Sequence, residues 1–428
     1  MRVSIPFGRG SLSVELPEQE LRAVLRPAAI GRAHPEEALV RRALRAPVGA
    51  PPLHKAARGK RRILLLTSDH TRPVPSALTL PVLLDELRAG SPEAEIRILV
   101  ATGAHRATTP AELRAKFGAL VGRETFLIHD AHCERQLVSK GTLPSGAPFE
   151  VNRLVDWADF LLAEGFIEPH FFAGFSGGRK AVLPGISGIR SIRANHGAPL
   201  IADPRARTGV LSGNPIHRDM CEAARRAGLS YLLNVVLDRE KRVAAAFAGH
   251  PERAHEAGCA FVERQNLVPK VEVDIVLTGN GGYPLDQNIY QAVKSMTAAE
   301  ACVREGGVII CAAACADGSG GENFVRFFEE DTPAGLLARF LATPPEETPS
   351  DQWQAQILAR IRTRATVILV SEPGARADAE RMGLVWRPDL DSALALARQL
   401  QPGRETVVIP DGVSVIVGSA PPRSERSV

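Results

Sequence analysis

The feature that most restricts how this chain can fold is a regular alternation of short apolar runs, rich in leucine and β-branched residues, with amphipathic stretches. The runs fall at 63–66, 96–101, 126–128, 160–163, 231–237, 273–278, 308–312, 365–370 and 406–409. Stretches with helical patterning lie between them at 78–88, 111–117, 215–227, 255–265, 287–304 and 352–362. Strand and helix in turn call for an α/β fold with parallel or mixed sheets, because a parallel strand needs a long crossover to reach its neighbour. Two helix starts are written out: Thr109-Pro110 and Asn214-Pro215 each place a capping side chain before a proline at the first helical position. A chain of 428 residues outgrows one hydrophobic core, so two α/β domains are expected.

Composition excludes several classes of function. The net charge is only +4 and basic residues are interspersed with acids, so nucleic acid is not an expected partner. No stretch approaches the roughly 20 apolar residues that span a bilayer, and no membrane is expected. The opening MRVSIPFGRGSLSVELP carries charge where a signal peptide needs an apolar region, which points to the cytoplasm. Cys133, Cys221, Cys259, Cys302, Cys311 and Cys315 form no CxxC pair of the kind that marks zinc or redox chemistry, and are read as reduced and mostly buried. Residues 26–58, rich in alanine, arginine and proline, read as a helix between irregular connections, and TPPEETPS at 343–350 as a surface loop.

Chemistry concentrates in four segments, three of which directly follow apolar runs, the edge of an α/β sheet where functional loops collect. SDHTRPVP at 68–75 offers a carboxylate, a hydroxyl and a guanidinium in Asp69, Thr71 and Arg72. Arg72 suits a bidentate hold on a carboxylate or phosphate, although the same residues could form an Asx turn with a surface arginine. ATGAHR at 101–106 puts His105 at the corresponding edge, where an imidazole with a pKa near ~6.5 can act as acid or base, or simply be solvated.

EPHFFAGFSGGRKAVLPGISG at 168–188 holds Gly174, Gly177, Gly178 and Gly185, whose cost to regular structure is tolerated where backbone must approach a ligand. Ser176, Gly177, Gly178 and Arg179 resemble a phosphate-cradling loop in kind. Their spacing matches neither a P-loop nor GxGxxG, which speaks against an NTP or NAD site. His170 precedes the loop, Lys180 ends it and His196 follows in ANHG, so three nitrogen side chains surround one glycine-rich turn. GNGGYPLDQNIYQAVK at 279–294 leads from a strand into a helix and puts Tyr290, Gln291 and Lys294 on adjoining parts of one face. That face is either an anion hold near a helix N-terminus or a polar surface in water.

Together, SDHTRPVP, ATGAHR, EPHFFAGFSGGRK with PGISG, ANHG and YPLDQNIYQAVK resemble the nickel-dependent lactate racemase family in order and interval. The resemblance implies an isomerase, a racemase or epimerase of a small 2-hydroxy acid. It also implies a nickel-pincer nucleotide, a pyridinium-3-thioamide-5-thiocarboxylic acid mononucleotide, joined covalently to a lysine that Lys180 matches. The nickel would take sulfur, carbon and sulfur from the cofactor and one imidazole from His196, a donor set suited to planar nickel. His105 and His170 match two acid/base histidines on opposite faces of the substrate. One removes the hydroxyl proton as hydride leaves the adjacent carbon, and return to the other face of the 2-keto acid inverts the centre.

By the same resemblance, Arg72 and Lys294 bind the substrate carboxylate, with Tyr290 and Gln291 beside it. Asp69, Thr71, Ser176, Gly177, Gly178, Arg179 and Trp353 fall on the cofactor side, as does Arg72 in addition to its hold on the substrate. The implied partners are a small-molecule 2-hydroxy acid and the proteins that synthesise the cofactor. The implied domains are an N-terminal one over 1–268 and a C-terminal one over 269–402, with 403–428 returning to pack on the first and the active site in the cleft between the domains. Two other readings stand beside this one. A 2-hydroxy acid oxidoreductase using diffusible nicotinamide is disfavoured by the missing GxGxxG, and a non-catalytic carrier of the nickel cofactor would need no pair of acid/base histidines.

Overall fold

The computed structural model describes residues 1–31 and 34–418. They divide into two units. The first is Ala29–Gln265 with Pro345–Glu347; the second is Met1–Ala28, Asn266–Pro344 and the chain from Thr348 onward.

In the first unit six strands lie in the order Val243–Gly249, Leu229–Leu237, Phe160–Phe166, Arg62–Ser68, Glu95–Ala101, Thr125–Ile128. Neighbours are parallel except for the outer hairpin of Leu229–Leu237 with Val243–Gly249. Arg62–Ser68 is buried without a break from Ile63 to Thr67, the mark of a strand covered on both faces. The helix Ser76–Gly90 brings Leu80, Leu83 and Leu87 into one core with Leu65, Ile98 and Leu162 of the strands. Each such side chain contributes roughly 1.5–3 kcal/mol by leaving water.

Chain order fixes where a site can form in this sheet. From Arg62–Ser68 the chain moves outward through Glu95–Ala101 to Thr125–Ile128, then returns to lay Phe160–Phe166 against the other side of its starting strand. Strand order therefore reverses between Arg62–Ser68 and Phe160–Phe166. Loops leaving the carboxyl ends of two such strands diverge and open a crevice. Residues 69–75 and 167–178 flank that opening before any side chain is considered.

In the second unit all six strands of the main sheet are parallel, in the order Val385–Arg387, Thr366–Val370, Val303–Ala312, Val273–Gly279, Thr406–Ile409, Leu21–Val24. The hairpin of Arg2–Phe7 and Gly10–Glu15 adds Val3 and Ile5 to the core of this sheet. Residues 1–28 cluster with this second unit, and the strand Thr406–Ile409 of the C-terminal segment joins its sheet. The cause is pairing: Thr406–Ile409 is buried throughout and finds backbone partners on both edges, in Val273–Gly279 and Leu21–Val24. Residues 419–428 lie outside the described residues.

Every apolar run read as a strand is one. The helix expected over 287–304 is shorter, Ile289–Glu300, because the apolar residues that prolong its pattern already belong to the strand Val303–Ala312. Thr109 makes a full capping box with Glu112, and the Asn214 side chain accepts from the amides of Ile216 and His217, as their sequences foretell. The cysteines are free thiols, and burial pushes Cys259 and Cys311 up to about 12, which leaves both protonated and inert. Among the described residues no helix is long and apolar enough to cross a membrane.

Candidate active site

Loop 69–75 leaves Arg62–Ser68 at the crevice, and its first residue, Asp69, is only 1% exposed. The carboxylate accepts from the amide and hydroxyl of Thr71 at 3.1 and 2.6 Å and from Nδ1 of His105 at 2.7 Å. Arg72 in turn donates from Nη1 to the Thr71 hydroxyl at 3.0 Å. The Asx turn that the sequence left open is therefore present, and it is what aims the carboxylate at His105. Burial by itself pushes the Asp69 carboxyl up, but the hydrogen bond and charge of His105, the Thr71 hydrogen bond and the Arg72 charge outweigh it and hold it at about 2. An ionised Asp69 places a proton of His105 on Nδ1, which leaves Nε2 as the ring nitrogen not engaged by Asp69.

This coupling has a measurable consequence. The folded-state carboxyl titrates below its unfolded value, so its stabilisation is whole above about pH 5 and is lost as pH falls toward 2. The displacement corresponds to roughly 2 kcal/mol. Asp69→Asn is expected to lower the Tm near neutral pH, and calorimetry should show the gap from the unmodified protein narrowing between about pH 5 and pH 3. A gap that ignores pH would mean that the charge of Asp69 does not stabilise the fold.

His170 sits in the short hairpin of Pro169–His170 and Gly174–Phe175. Its ring stacks on Phe171 with centroids 4.9 Å apart and meets Phe172 edge-on at 4.5 Å. Nδ1 accepts from the Ala173 amide at 3.3 Å, and Nε2 stands 3.2 Å from Nζ of Lys180. Lys180 lines the same crevice as Asp69, Arg72 and His105. Its Nζ lies 5.6 Å from the Phe172 ring centroid, and the His196 ring meets Phe172 at 5.2 Å.

Nδ1 of His196 is 3.0 Å from the Ile192 carbonyl, so it donates there and the lone pair rests on Nε2. Burial, reinforced by the charge of Lys180, lowers the pKa of His196 to about 3 and keeps the ring neutral. Neutral imidazole is the form that binds a metal. Among the described residues no group of three or more His, Cys, Asp or Glu could hold a metal ion. A metal at His196 would thus not be held by three or more such side chains of the described residues.

The glycines of 174–185, of which Gly177, Gly178 and Gly185 line the crevice, are also required by the protein's own packing. A Cβ at Gly177 would lie 2.7 Å from both the Phe166 carbonyl and Asn234, one at Gly178 2.6 Å from the His255 ring, and one at Gly185 2.2 Å from the Ala181 carbonyl. The atoms they make room for belong to the protein. Three amides of the loop are used within the protein: that of Gly178 donates to the Asn234 side chain at 2.8 Å, that of Ser176 to the Glu168 carbonyl at 2.9 Å and that of Lys180 to the Gly177 carbonyl at 3.1 Å. Arg179, expected on the cofactor side, points into the core. Its guanidinium donates to the carbonyls of Ala173 at 2.7 Å and Phe175 at 2.9 Å and to Nε2 of His255 at 3.0 Å. It ties the hairpin of His170 to the loop of Lys180.

Tyr290, Gln291, Lys294 and Trp353 belong to the second unit. The first three lie in the opening turns of Ile289–Glu300, and Trp353 Nε1 donates to the Tyr290 hydroxyl at 2.8 Å. The amide end of this helix is closed. Ile289 and Tyr290 donate to the carbonyls of Gly318 and Ser319 at 3.0 Å each, and Gln291 to the Asn288 side chain at 2.9 Å. Any anion recognised there is held by side chains and not by the helix terminus.

Sequence reasoning passed over two charged residues near the crevice, Glu164 and Lys116. For Glu164 the signal was available: an acid inside FLLAEGF, an otherwise apolar central strand. Lys116, within an ordinary amphipathic helix, left none.

Comparison with known proteins adds an independent line. The family model described as the lactate racemase N-terminal domain matches residues 7–209, and that of the lactate racemase C-terminal domain matches 268–417. The lactate racemase of Thermoanaerobacterium thermosaccharolyticum is 50% identical over 420 residues, which is 97% of this chain and 99% of the relative. That of Lactiplantibacillus plantarum is 45% identical over 421 residues, with the same coverage of both chains. The structure of the lactate racemase apoprotein from T. thermosaccharolyticum matches with a TM-score of 0.95 over 98% of this chain and 100% of that one. A Thermotoga maritima protein at 19% identity shares the fold, with a TM-score of 0.67 over 89% of this chain and 98% of its own.

Proposed function

The chain belongs to the lactate racemase family, and from that premise we propose that it inverts the stereocentre of a small 2-hydroxy acid through a 2-keto acid, with a nickel-pincer nucleotide held on Lys180. Its class, an isomerase of the racemase type, follows from the family; cofactor, mechanism and residue roles are the proposal. The observation that carries it is the position of Lys180, whose amine stands 3.2 Å from His170 while lining the crevice that His105 also lines.

The residues present fit the cofactor. Lys180 would hold the group through its amine, and neutral His196 would offer one nitrogen to a nickel whose other, soft donors the cofactor would supply. When bound, the group supplies a reversible hydride acceptor.

The remaining work falls to the protein. His105, oriented by Asp69, takes the hydroxyl proton at Nε2 from one face and returns it in the reverse direction. His170 does the same at the opposite face. Two imidazoles are needed because a flat keto acid reduced from either side must meet a proton donor on that side. Arg72 anchors the carboxylate through its guanidinium fork. Phe171 and Phe172, packed on His170, keep water from that flank and so strengthen the charge interactions there. The substrate-side roles of Lys294, Tyr290 and Gln291, and that of Trp353 on the cofactor side, rest on family resemblance.

Cofactor-loaded protein incubated with pure D- or L-lactate and larger 2-hydroxy acids is expected to bring each susceptible acid to an equal mixture of enantiomers by chiral chromatography, with no change at the reduced-nicotinamide band. Retention of configuration across the panel would remove the proposal. A nicotinamide signal that tracks turnover would favour an oxidoreductase.

A further inference from the structure

Glu164 and Lys116 take no part in the chemistry above, yet both are charged and both hold the loop 69–75. Glu164, in the strand Phe160–Phe166, is 3% exposed. Its Oε1 accepts from the hydroxyls of Thr67 at 2.6 Å and Ser76 at 2.5 Å, and its Oε2 from that of Thr79. Thr67 lies at the end of Arg62–Ser68, and Ser76 and Thr79 lie in the first turn of Ser76–Gly90. One carboxylate therefore fastens the backbone on both sides of the loop. Lys116, from the helix Pro110–Phe117, fastens its middle: Nζ donates to the carbonyls of Arg72 at 2.8 Å and Val74 at 3.4 Å.

The strand pattern at position 164 calls for an apolar residue, and a buried carboxylate there is tolerated only because three hydroxyls satisfy it. Lys116 bears a related strain. Burial lowers its pKa, against the opposing charges of Glu164 and Asp69. The loop that carries Asp69, Thr71 and Arg72 thus runs between the Glu164 side chain, bonded at both its ends, and the Lys116 side chain, bonded at its centre.

We infer that Glu164 and Lys116 are positioning residues, which act through loop 69–75 to set where Asp69 meets His105 and where Arg72 presents its guanidinium to a substrate carboxylate. The inference rests on the racemase reading for its link to catalysis. Its mechanical half, that these two groups immobilise the loop, stands on the hydrogen bonds alone. Arg72 reaches outward from the residue whose carbonyl Lys116 holds, so loss of that hold displaces the carboxylate anchor. Misplacement by about an ångström can cost on the order of 100-fold in rate.

The test compares Glu164→Gln, Glu164→Leu and Lys116→Met with the unmodified protein in cofactor-loaded form. In Glu164→Leu and Lys116→Met the KM for the hydroxy acid is expected to rise about tenfold or more, with amide exchange across 69–75 faster by a similar factor. Glu164→Gln should recover most of the loss, because its Oε1 still accepts from Thr67 and Ser76. A merely structural role would instead lower the fraction of active enzyme, and hence the apparent kcat, at constant KM. Unchanged KM or unchanged exchange in Lys116→Met overturns the inference, even if Glu164→Leu fails to fold. If the unmodified protein racemises nothing, the functional reading fails, and the exchange measurement alone decides whether the two groups hold the loop.

Discussion

Lys180→Ala is expected to yield a folded protein that retains no covalently bound cofactor and has no racemase activity. The side chain reaches the crevice wall from a loop whose shape is set by other residues, so its removal should leave the fold intact. Arg179 ties that loop to Ala173 and Phe175, and Asn234 receives the Gly178 amide. What disappears is the amine that stands 3.2 Å from His170. The measurement is intact mass on protein made together with the cofactor-producing machinery. The unmodified protein should carry a mass excess confined to the peptide containing Lys180, and the variant none. A mass excess that persists in the variant, or maps to another peptide, would remove the attachment and with it the reading of the crevice.

Alanine at His105 or at His170 should leave that mass excess in place and slow racemisation by roughly 10²–10⁴-fold, the usual contribution of a positioned acid/base group. Both directions must slow together. The two enantiomers are equal in free energy, so kcat/KM for the forward and reverse reactions stays equal whichever imidazole is removed. The pair is distinguished instead by which enantiomer can still be oxidised. In each variant one enantiomer should still give a detectable 2-keto acid in a single turnover and the other should not, with the preference reversed between the two variants. Undiminished racemisation by either variant would overturn the assignment of two acid/base groups.

The two histidines differ in how they are held. His105 depends on a charge, the Asp69 carboxylate 2.7 Å away, and on the loop that carries it. His170 depends on packing between Phe171 and Phe172 and on an amide from its own turn. Acid should therefore act on the first and core substitutions on the second.

Much of this architecture was legible before any fold was known. The strands, the caps at Thr109 and Asn214, and the clustering of His105, His170, Lys180 and Arg72 near strand ends are written in local patterns, and local patterns depend on neighbours within a few residues. The motifs around the crevice also stand in family order along the chain. Other features followed from contacts between distant segments. Arg179 looks like a ligand-binding residue beside two glycines, and only packing against Ala173, Phe175 and His255 shows that it faces inward. The glycines themselves answer to Phe166, Asn234, His255 and Ala181, atoms from as many as 77 positions away, in the case of His255 and Gly178.

The same division explains the placing of Thr406–Ile409 and the missed clamp. Thr406–Ile409 is plainly a strand by its residues, but which sheet accepts it depends on free edges offered by Val273–Gly279 and Leu21–Val24. Glu164 reads as an oddity in an apolar run until Thr67, Ser76 and Thr79 converge on it. Sequence alone determined the kinds of element and the chemical groups at their ends, since dihedral preference and side-chain pattern are short-range. Tertiary structure decided which groups face the crevice and which serve the core, because burial and hydrogen-bond partnership are settled only when remote segments meet.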